Sequence, residues 1–301
     1  MLSKNPDLIV SVHPLCQVRA TKAFSGSDPQ TSNQVVTDLA EGHPFWFHPG
    51  VDCCFIPQEG MAETARECGL VDAQLHVCGL PIRQGFWDLG GQSEEARVAT
   101  QREIRERLEL DQDLLTVLVV GGGDGLGGLD AITGALAEQF TADQTRRQIL
   151  VVCGHNHEAV KAIGKRSFGE WADVRVFGHV SNMDDLMQAA DALVTKAGPG
   201  TIAEASACGL PVLLSGFLPG QEEKNVSHVE ENEMGEFHPD PRTLAARVSQ
   251  WLQDPSLLRT LSLNSRRAGN HSQCIWAPER ALSHSIWAKR FGEILVGVAY
   301  I

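Results

Sequence analysis

Residues 192–214, ALVTKAGPGTIAEASACGLPVLL, place two short apolar runs on either side of a Gly-Pro-Gly turn and a small-residue stretch. The order strand, turn, helix, strand is the unit of a parallel sheet with crossover helices. The same alternation extends outward. The segments Leu114–Val120, Gln148–Cys153, Val174–Phe177, Ala192–Thr195 and Pro211–Leu214 read as strands, with a weaker one near Glu236–His238. Helices are expected near Leu126–Phe140, Glu158–Arg166, Asp184–Ala190, Gly200–Cys208, Val226–Glu233 and Arg242–Leu252. Together these make one complete doubly wound α/β domain.

Upstream, Asp7–Val12, Gln34–Leu39, Cys53–Ile56 and Leu75–Cys78 also read as strands, but too few helices separate them for a self-sufficient sheet. They are expected to be the end of a domain whose beginning is missing. The charged stretch Gln92–Leu110 predicts a solvated helix or linker, which sets a boundary near Trp87–Ser93. The expected division is 1–90, 91–270, and a tail over 271–301.

The formal charge of −13 argues against nucleic acid as a partner, because the basic groupings, such as Arg146-Arg147 and Arg266-Arg267, are single pairs. The 8 cysteines lie scattered through apolar segments without a CxxC pair, so they read as reduced, buried small side chains. The opening MLSKNPDLIVSVHP runs almost at once into a strand pattern, which leaves no signal or transit peptide ahead of the fold. No window reaches the ~18 apolar residues a bilayer span needs, so a soluble or peripheral protein is expected.

Two Gly-rich loops could hold a diphosphate. In VLVVGGGDGLGG (117–128) a strand meets a run of glycines, and Gly123, Gly125 and Gly128 satisfy GxGxxG. A dinucleotide site would need an acidic residue ending the second strand, where Cys153-Gly154-His155-Asn156 stands instead. In the second loop, Lys196-Ala197-Gly198-Pro199-Gly200-Thr201, a helix starting at Gly200 or Thr201 would offer free N–H groups and a positive dipole end to a diphosphate. One turn in, Glu204 shares a face with Thr201, where its carboxylate could accept both hydroxyls of a ribose. The bland alternative is a tight turn followed by an ordinary helix-start glutamate. One βα unit later, Pro219-Gly220-Gln221-Glu222-Glu223 leaves the same sheet edge with donors and acceptors suited to a hexose, though such a loop also serves as a plain polar turn.

Together these residues resemble glycosyltransferase family 28, and within it the monogalactosyldiacylglycerol (MGDG) synthases. The resemblance is carried by SVHPL (11–15), VTDL (36–39), HPFWFHPGVD (43–52), GLPIR (79–83), LDQDLLTVLVVGGGDGLG (110–127), CGHN (153–156), TKAGPGTIAE (195–204) and PGQEEKNVSHVEEN (219–232). It implies a GT-B fold: a complete C-terminal Rossmann-like donor domain plus the end of an N-terminal Rossmann-like acceptor domain. It also implies roles in binding UDP-galactose. Gly123, Gly125, Gly198, Gly200 and Thr201 would lie against the diphosphate, and Phe177 and Gly178 would meet uracil through backbone groups. Glu204 would hold the ribose, Gln221 and Glu222 the galactose hydroxyls, and Arg83 would add charge near the diphosphate unless it is a surface arginine after a proline turn.

The family's general base is a histidine in a Gly-rich loop near the start of the N-terminal lobe, and no such loop occurs here. His43 and His48 are expected to shape the acceptor pocket or pack beside proline. No metal or other cofactor is implied, and no Asp-rich metal motif occurs. The implied partners are the UDP-sugar, a diacylglycerol acceptor and a membrane surface bound peripherally, with the chloroplast envelope as location. Phe45-Trp46-Phe47 is one candidate for membrane contact, against core packing. The other is a tail face of Leu282, Ile286, Trp287, Phe291, Ile294, Leu295 and Val298, against packing on the N-lobe. A UDP-glucose-dependent lipid glycosyltransferase, a MurG-like enzyme and a non-catalytic nucleotide-sugar-binding remnant remain open alternatives.

Overall fold

The computed structural model describes residues 8–15, 31–89, 91–121 and 128–274. Among these, strands β1 (Leu8–Ser11), β2 (Thr31–Val35), β3 (Cys53–Ile56) and β4 (Leu75–Val77) form a parallel sheet in the order β1-β2-β3-β4. A second parallel sheet contains β6 (Thr116–Val120), β7 (Arg147–Val152), β8 (Ala172–Phe177), β9 (Ala192–Lys196), β10 (Val212–Gly216) and β11 (Gly235–Phe237). Its order is β11-β10-β9-β6-β7-β8. The chain builds outward from β6 through β7 to β8, then returns to start β9 on the other side of β6. The two carboxyl ends therefore part at β6 and β9, the point where open α/β sheets leave a crevice.

Residues alternate between the two faces of β6 as a strand requires. Leu118 and Val120 join one buried cluster with Leu150, Met183, Ile202 and Ala203, whereas Val117 and Val119 join the other with Leu136, Phe140, Val248 and Trp251. Both faces are covered, so β6 is buried at every position, which is why it reads as an unbroken apolar run. Each fully buried aliphatic side chain contributes about 1.5–3 kcal/mol of transfer free energy.

The helices of the described residues are α1 (Ala62–Glu67), α2 (Glu94–Arg107), α3 (Leu129–Ala142), α4 (His157–Gly164), α5 (Met183–Ala189), α6 (Pro199–Cys208), α7 (Glu223–Glu231), α8 (Pro241–Gln253) and α9 (Pro255–Ser272). Capping follows the sequence. Asp240 accepts from Thr243 N–H at 2.9 Å with Pro241 in the first turn of α8, and Asn156 accepts from Ala159 N–H at 2.9 Å at the start of α4. Gly209 ends α6 at φ 65°, and a Cβ there would sit 2.5 Å from Arg266 Cγ. Arg97 donates to the Cys208 carbonyl, so two guanidinium groups close over that helix end.

Three expectations change. The stretch at 92–110 is a helix but not a merely solvated one: Ile104 and Arg105 are buried, and Arg105 Nη2 meets Asp191 Oδ2 at 2.7 Å. The strand expected at Gln34–Leu39 is Thr31–Val35, because the buried polar residues Ser32, Asn33 and Gln34 occupy the ladder while Val36 and Leu39 are buried beyond it. The Phe-Trp-Phe run splits, with Trp46 and Phe47 in the core of the smaller sheet and Phe45 60% exposed.

The two sheets are joined by packing and by hydrogen bonds. A short strand β5 (Leu80–Pro81) pairs with β12 (Gln273–Cys274), and Leu80, Phe86 and Leu89 enter the core beneath β6. Asn225, 3% exposed at the start of α7, donates to the Ala197 carbonyl at 2.9 Å and accepts from Ala40 N–H at 3.2 Å.

Candidate functional site

The loop after β9 carries the site. Lys196 ends the strand, Ala197 accepts the Asn225 contact, and Gly198 caps α6, whose first residue is Pro199. Pro199 suits that position because its missing N–H is one the helix could not use. The remaining N–H groups of the first turn point out of the carboxyl edge of the sheet, with the positive end of the helix dipole behind them. Both Gly198 and Gly200 leave the backbone open to a ligand, and nothing lies within 4 Å of a Cβ built on Gly200.

Polar groups converge on Gly198. A Cβ built there would lie 3.5 Å from Lys196 Nζ and 3.9 Å from both Glu222 Oε1 and Thr201 Oγ1. The Lys196 ammonium pairs with the Glu222 carboxylate, whose other oxygen accepts from Leu218 N–H at 2.8 Å. Glu222 is thus 6% exposed with one partner on each oxygen, which leaves further acceptor capacity, and it lies next to an exposed Gln221. The loop that carries Gln221 and Glu222 and the loop that carries Gly198 and Thr201 therefore meet in one place. Lys196 and Asn225 were not singled out from the sequence, although a lysine ending the strand before a Gly-Pro-Gly turn was a usable signal.

Glu204 lies one turn into α6 and is 5% exposed. Its carboxylate does not end among apolar side chains: Oε1 accepts from Arg83 Nε at 2.7 Å and Oε2 from Arg83 Nη2 at 2.5 Å. Arg83, expected near a diphosphate, forms a two-pronged pair with the ribose candidate. It is no stray surface residue.

The loops after β7 and β8 come together at the other side of the crevice. A Cβ on Gly178 would be 3.7 Å from the Gly154 carbonyl, and the imidazoles of His155 and His179 stack with centroids 4.5 Å apart. The Phe177 ring packs against the core, and its carbonyl accepts from Cys153 N–H at 2.9 Å. Gly123 and Gly125, the remaining diphosphate candidates, lie outside the described residues, as does the tail face from Leu282 to Val298.

Across the crevice, the carboxyl end of the smaller sheet brings Asp38 beside His43 and His13. Trp46 Nε1 donates to Asp38 Oδ2 at 2.5 Å. Burial raises the Asp38 carboxyl above the usual carboxylate range, against the opposing pull of Trp46 and the two histidines. Among the described residues, no group of three or more His, Cys, Asp or Glu side chains could hold a metal ion.

A doubly wound parallel sheet whose Gly-edged switch point faces a second parallel sheet is the GT-B fold. MurG from Acinetobacter baumannii superposes with a TM-score of 0.58 at 14% identity, covering 88% of this chain and 71% of that one. UDP-GlcNAc 2-epimerase from Neisseria meningitidis, bound to UDP-GlcNAc, gives 0.60 at 13% identity over 89% and 74%. At such identity these likenesses define the fold alone. The sequence goes further, since residues 116–266 match the glycosyltransferase family 28 C-terminal domain and residues 1–82 match the MGDG synthase family. The chain belongs to glycosyltransferase family 28. It is 36% identical to the chloroplastic MGDG synthase of Spinacia oleracea over 280 residues, covering 91% of this chain and 51% of that protein. It is 38% identical to a probable chloroplastic MGDG synthase 2 of Oryza sativa subsp. indica over 270 residues, or 87% and 55%. The chain spans about half the length of the curated relatives it matches.

Proposed function

We propose that this chain binds UDP-galactose in the crevice above α6 and transfers galactose to the 3-hydroxyl of 1,2-diacylglycerol, giving MGDG with inversion at the anomeric carbon. One observation carries the reading: Lys196, Thr201 and Glu222 converge on Gly198 at the positive end of α6, with Glu204 one turn behind. In this reading the diphosphate lies against Gly198, Gly200 and Thr201, where free N–H groups and the dipole offset charge as UDP leaves. The ribose hydroxyls donate to Glu204, and uracil lies against the backbone at Phe177 and Gly178. Gln221 and Glu222 take the galactose hydroxyls. The UDP charge is met by these amides, the dipole and nearby side-chain cations, with no cofactor assigned. A base must also accept the proton of the acceptor hydroxyl, and none of the residues above is given that role.

The acceptor enters from the side of the smaller sheet. Phe45 and Leu15, 60% and 65% exposed, support peripheral contact with a bilayer there, and the relatives' names support a chloroplast setting. No helix among the described residues is long and apolar enough to cross a membrane.

The alternative reading is nucleotide-sugar binding at the same Gly198 loop without turnover. The test is calorimetric titration with UDP, followed by transfer from labelled UDP-galactose or UDP-glucose to diacylglycerol in mixed micelles. Binding with galactose transfer supports the proposal, and binding without transfer selects the second reading. Faster transfer from UDP-glucose reassigns the sugar. A failure to bind UDP removes both readings.

A further inference from the structure

Three His-Pro turns in the smaller sheet's half of the chain are built alike. His13 Nδ1 accepts from Leu15 N–H at 3.2 Å, His43 Nδ1 from Phe45 N–H at 3.1 Å and His48 Nδ1 from Gly50 N–H at 3.0 Å. An imidazole that accepts at Nδ1 carries its proton on Nε2, so its outer nitrogen donates and has no lone pair for another proton. Each ring is committed to its own turn. Two of them, His43 and His13, stand beside Asp38. Of these three side chains the carboxylate is the one that can take a proton: Trp46 Nε1 donates to Oδ2 at 2.5 Å, a single bond on a group with about four lone-pair sites.

The loop that carries Asp38 is tied to the donor site. Asp38 lies three residues beyond β2, and two residues later Ala40 N–H donates to Asn225 Oδ1 at 3.2 Å. Asn225 in turn donates to the carbonyl of Ala197, beside Gly198, at 2.9 Å. Gln58 Nε2 holds the Ala40 carbonyl at 2.6 Å. Two residues span at most about 7 Å, so the Asp38 backbone lies within that reach of the contact with Asn225. Leu15 and Phe45, whose N–H groups hold the two rings, are 65% and 60% exposed, so the apolar entry for a lipid and the carboxylate lie side by side.

We propose that Asp38 is the catalytic base, taking the proton of the acceptor hydroxyl as that oxygen attacks the anomeric carbon. This rests on the donor-site reading above. The bond from the acceptor oxygen to the anomeric carbon forms as the bond from that carbon to the phosphate oxygen breaks. Its electron pair leaves with UDP, and the proton passes to the Asp38 carboxylate. Burial holds this carboxyl above the usual carboxylate range, which makes its ionised form a stronger base than an exposed aspartate. Trp46, His43 and His13 pull the other way and help it ionise.

The experiment measures UDP affinity by titration and galactose transfer to diacylglycerol across pH, on the whole chain, in the natural protein, Asp38→Asn, Asp38→Glu and His43→Asn. The Asp38→Asn chain keeps an oxygen for Trp46 and should bind UDP within about twofold of the natural chain. Its kcat should fall about 100-fold or more, the scale of a lost general base. In the natural chain kcat should rise with pH as Asp38 ionises and then level off. The Asn variant should lack that rise, and the Glu variant should recover part of the rate with the rise displaced. His43→Asn still offers an oxygen to Phe45 N–H, so it should lose less than about tenfold and keep the rise. Transfer by Asp38→Asn within about threefold of the natural rate, or with the same pH rise, overturns the assignment. Loss of the rise in His43→Asn but not in Asp38→Asn gives the proton to His43 instead. A natural chain that binds UDP but transfers nothing also overturns Asp38 as the base, since the carboxylate is present, and leaves the donor site standing. If the natural chain binds no UDP, the donor site itself is wrong and the assignment of Asp38 falls with it.

Discussion

The ammonium of Lys196 rests on the carboxylate of Glu222, tying the end of one strand to the loop after the next directly above Gly198. Both partners are expected to matter, but differently. Glu222→Gln keeps the shape and loses the charge, so kcat/KM for galactose transfer should fall about 10- to 100-fold with UDP binding little changed. Lys196→Gln leaves a carboxylate that is 8% exposed without its cation; because the lysine itself is 36% exposed, the loss should be modest, about 1–2 kcal/mol in urea unfolding. Equal kcat/KM for Glu222→Gln and the natural chain would remove Glu222 from the sugar site.

Gly198→Ala separates folding from binding. The added methyl meets its nearest neighbour at an ordinary 3.5 Å and the backbone φ of −70° suits alanine, so the melting temperature should hold. The same methyl stands where a phosphate would approach the N–H groups, so UDP affinity should drop about tenfold or more. Undiminished UDP affinity in a well-folded Gly198→Ala chain would place the diphosphate elsewhere.

Asn225 is the strut between the sheets, with both ends of its amide in use. Asn225→Ala leaves the Ala197 carbonyl and the Ala40 N–H unpaired, which should cost about 1–3 kcal/mol per buried group. Hydrogen exchange at Ala40 should quicken in step with the lower urea midpoint. Unaltered exchange there would mean that the contact does not hold the smaller sheet.

Asp38 supplies the pH test. Its carboxyl is raised in the fold, mainly by burial, so the folded state holds the proton more tightly than the unfolded chain. The fold is favoured while the group is protonated, and that advantage is lost as pH rises through the raised value. Asp38→Asn keeps an oxygen for Trp46 Nε1 and removes the charge. It should therefore be at least as stable as the natural chain at pH 7, with the difference shrinking in acid. A gap that widens on acidification would reverse the sign of the argument.

Much of this was readable in the amino-acid order, for physical reasons. The strands β6, β7, β9 and β10 are covered on both faces and therefore appear as unbroken apolar runs, and the Gly-Pro-Gly turn announces the helix start that follows. What stayed hidden depended on partners distant in sequence. Ser32, Asn33 and Gln34 look like a loop until they are seen buried in a ladder. The pair of Arg83 with Glu204 joins residues separated by 121 positions, and nothing local to either shows it. Lys196 and Asn225 were visible as residue types, yet only the sheet order sets them over one glycine and between two sheets. The long helix Pro255–Ser272 was missed; it buries Leu261 in the cluster of Val248 and Trp251 and Ala268 in that of Ile202 and Ala203.

The far end of the helix Pro199–Cys208 is stoppered by Arg97 and Arg266, which crowd Gly209 while Arg97 takes the Cys208 carbonyl. Arg97's positive charge offsets the negative pole of that ten-residue rod at the end remote from the crevice, while Arg266 is paired with Glu94 at 2.6 Å. An incoming anion consequently feels a lopsided magnet: attraction at the mouth, with a weakened opposing pole behind it.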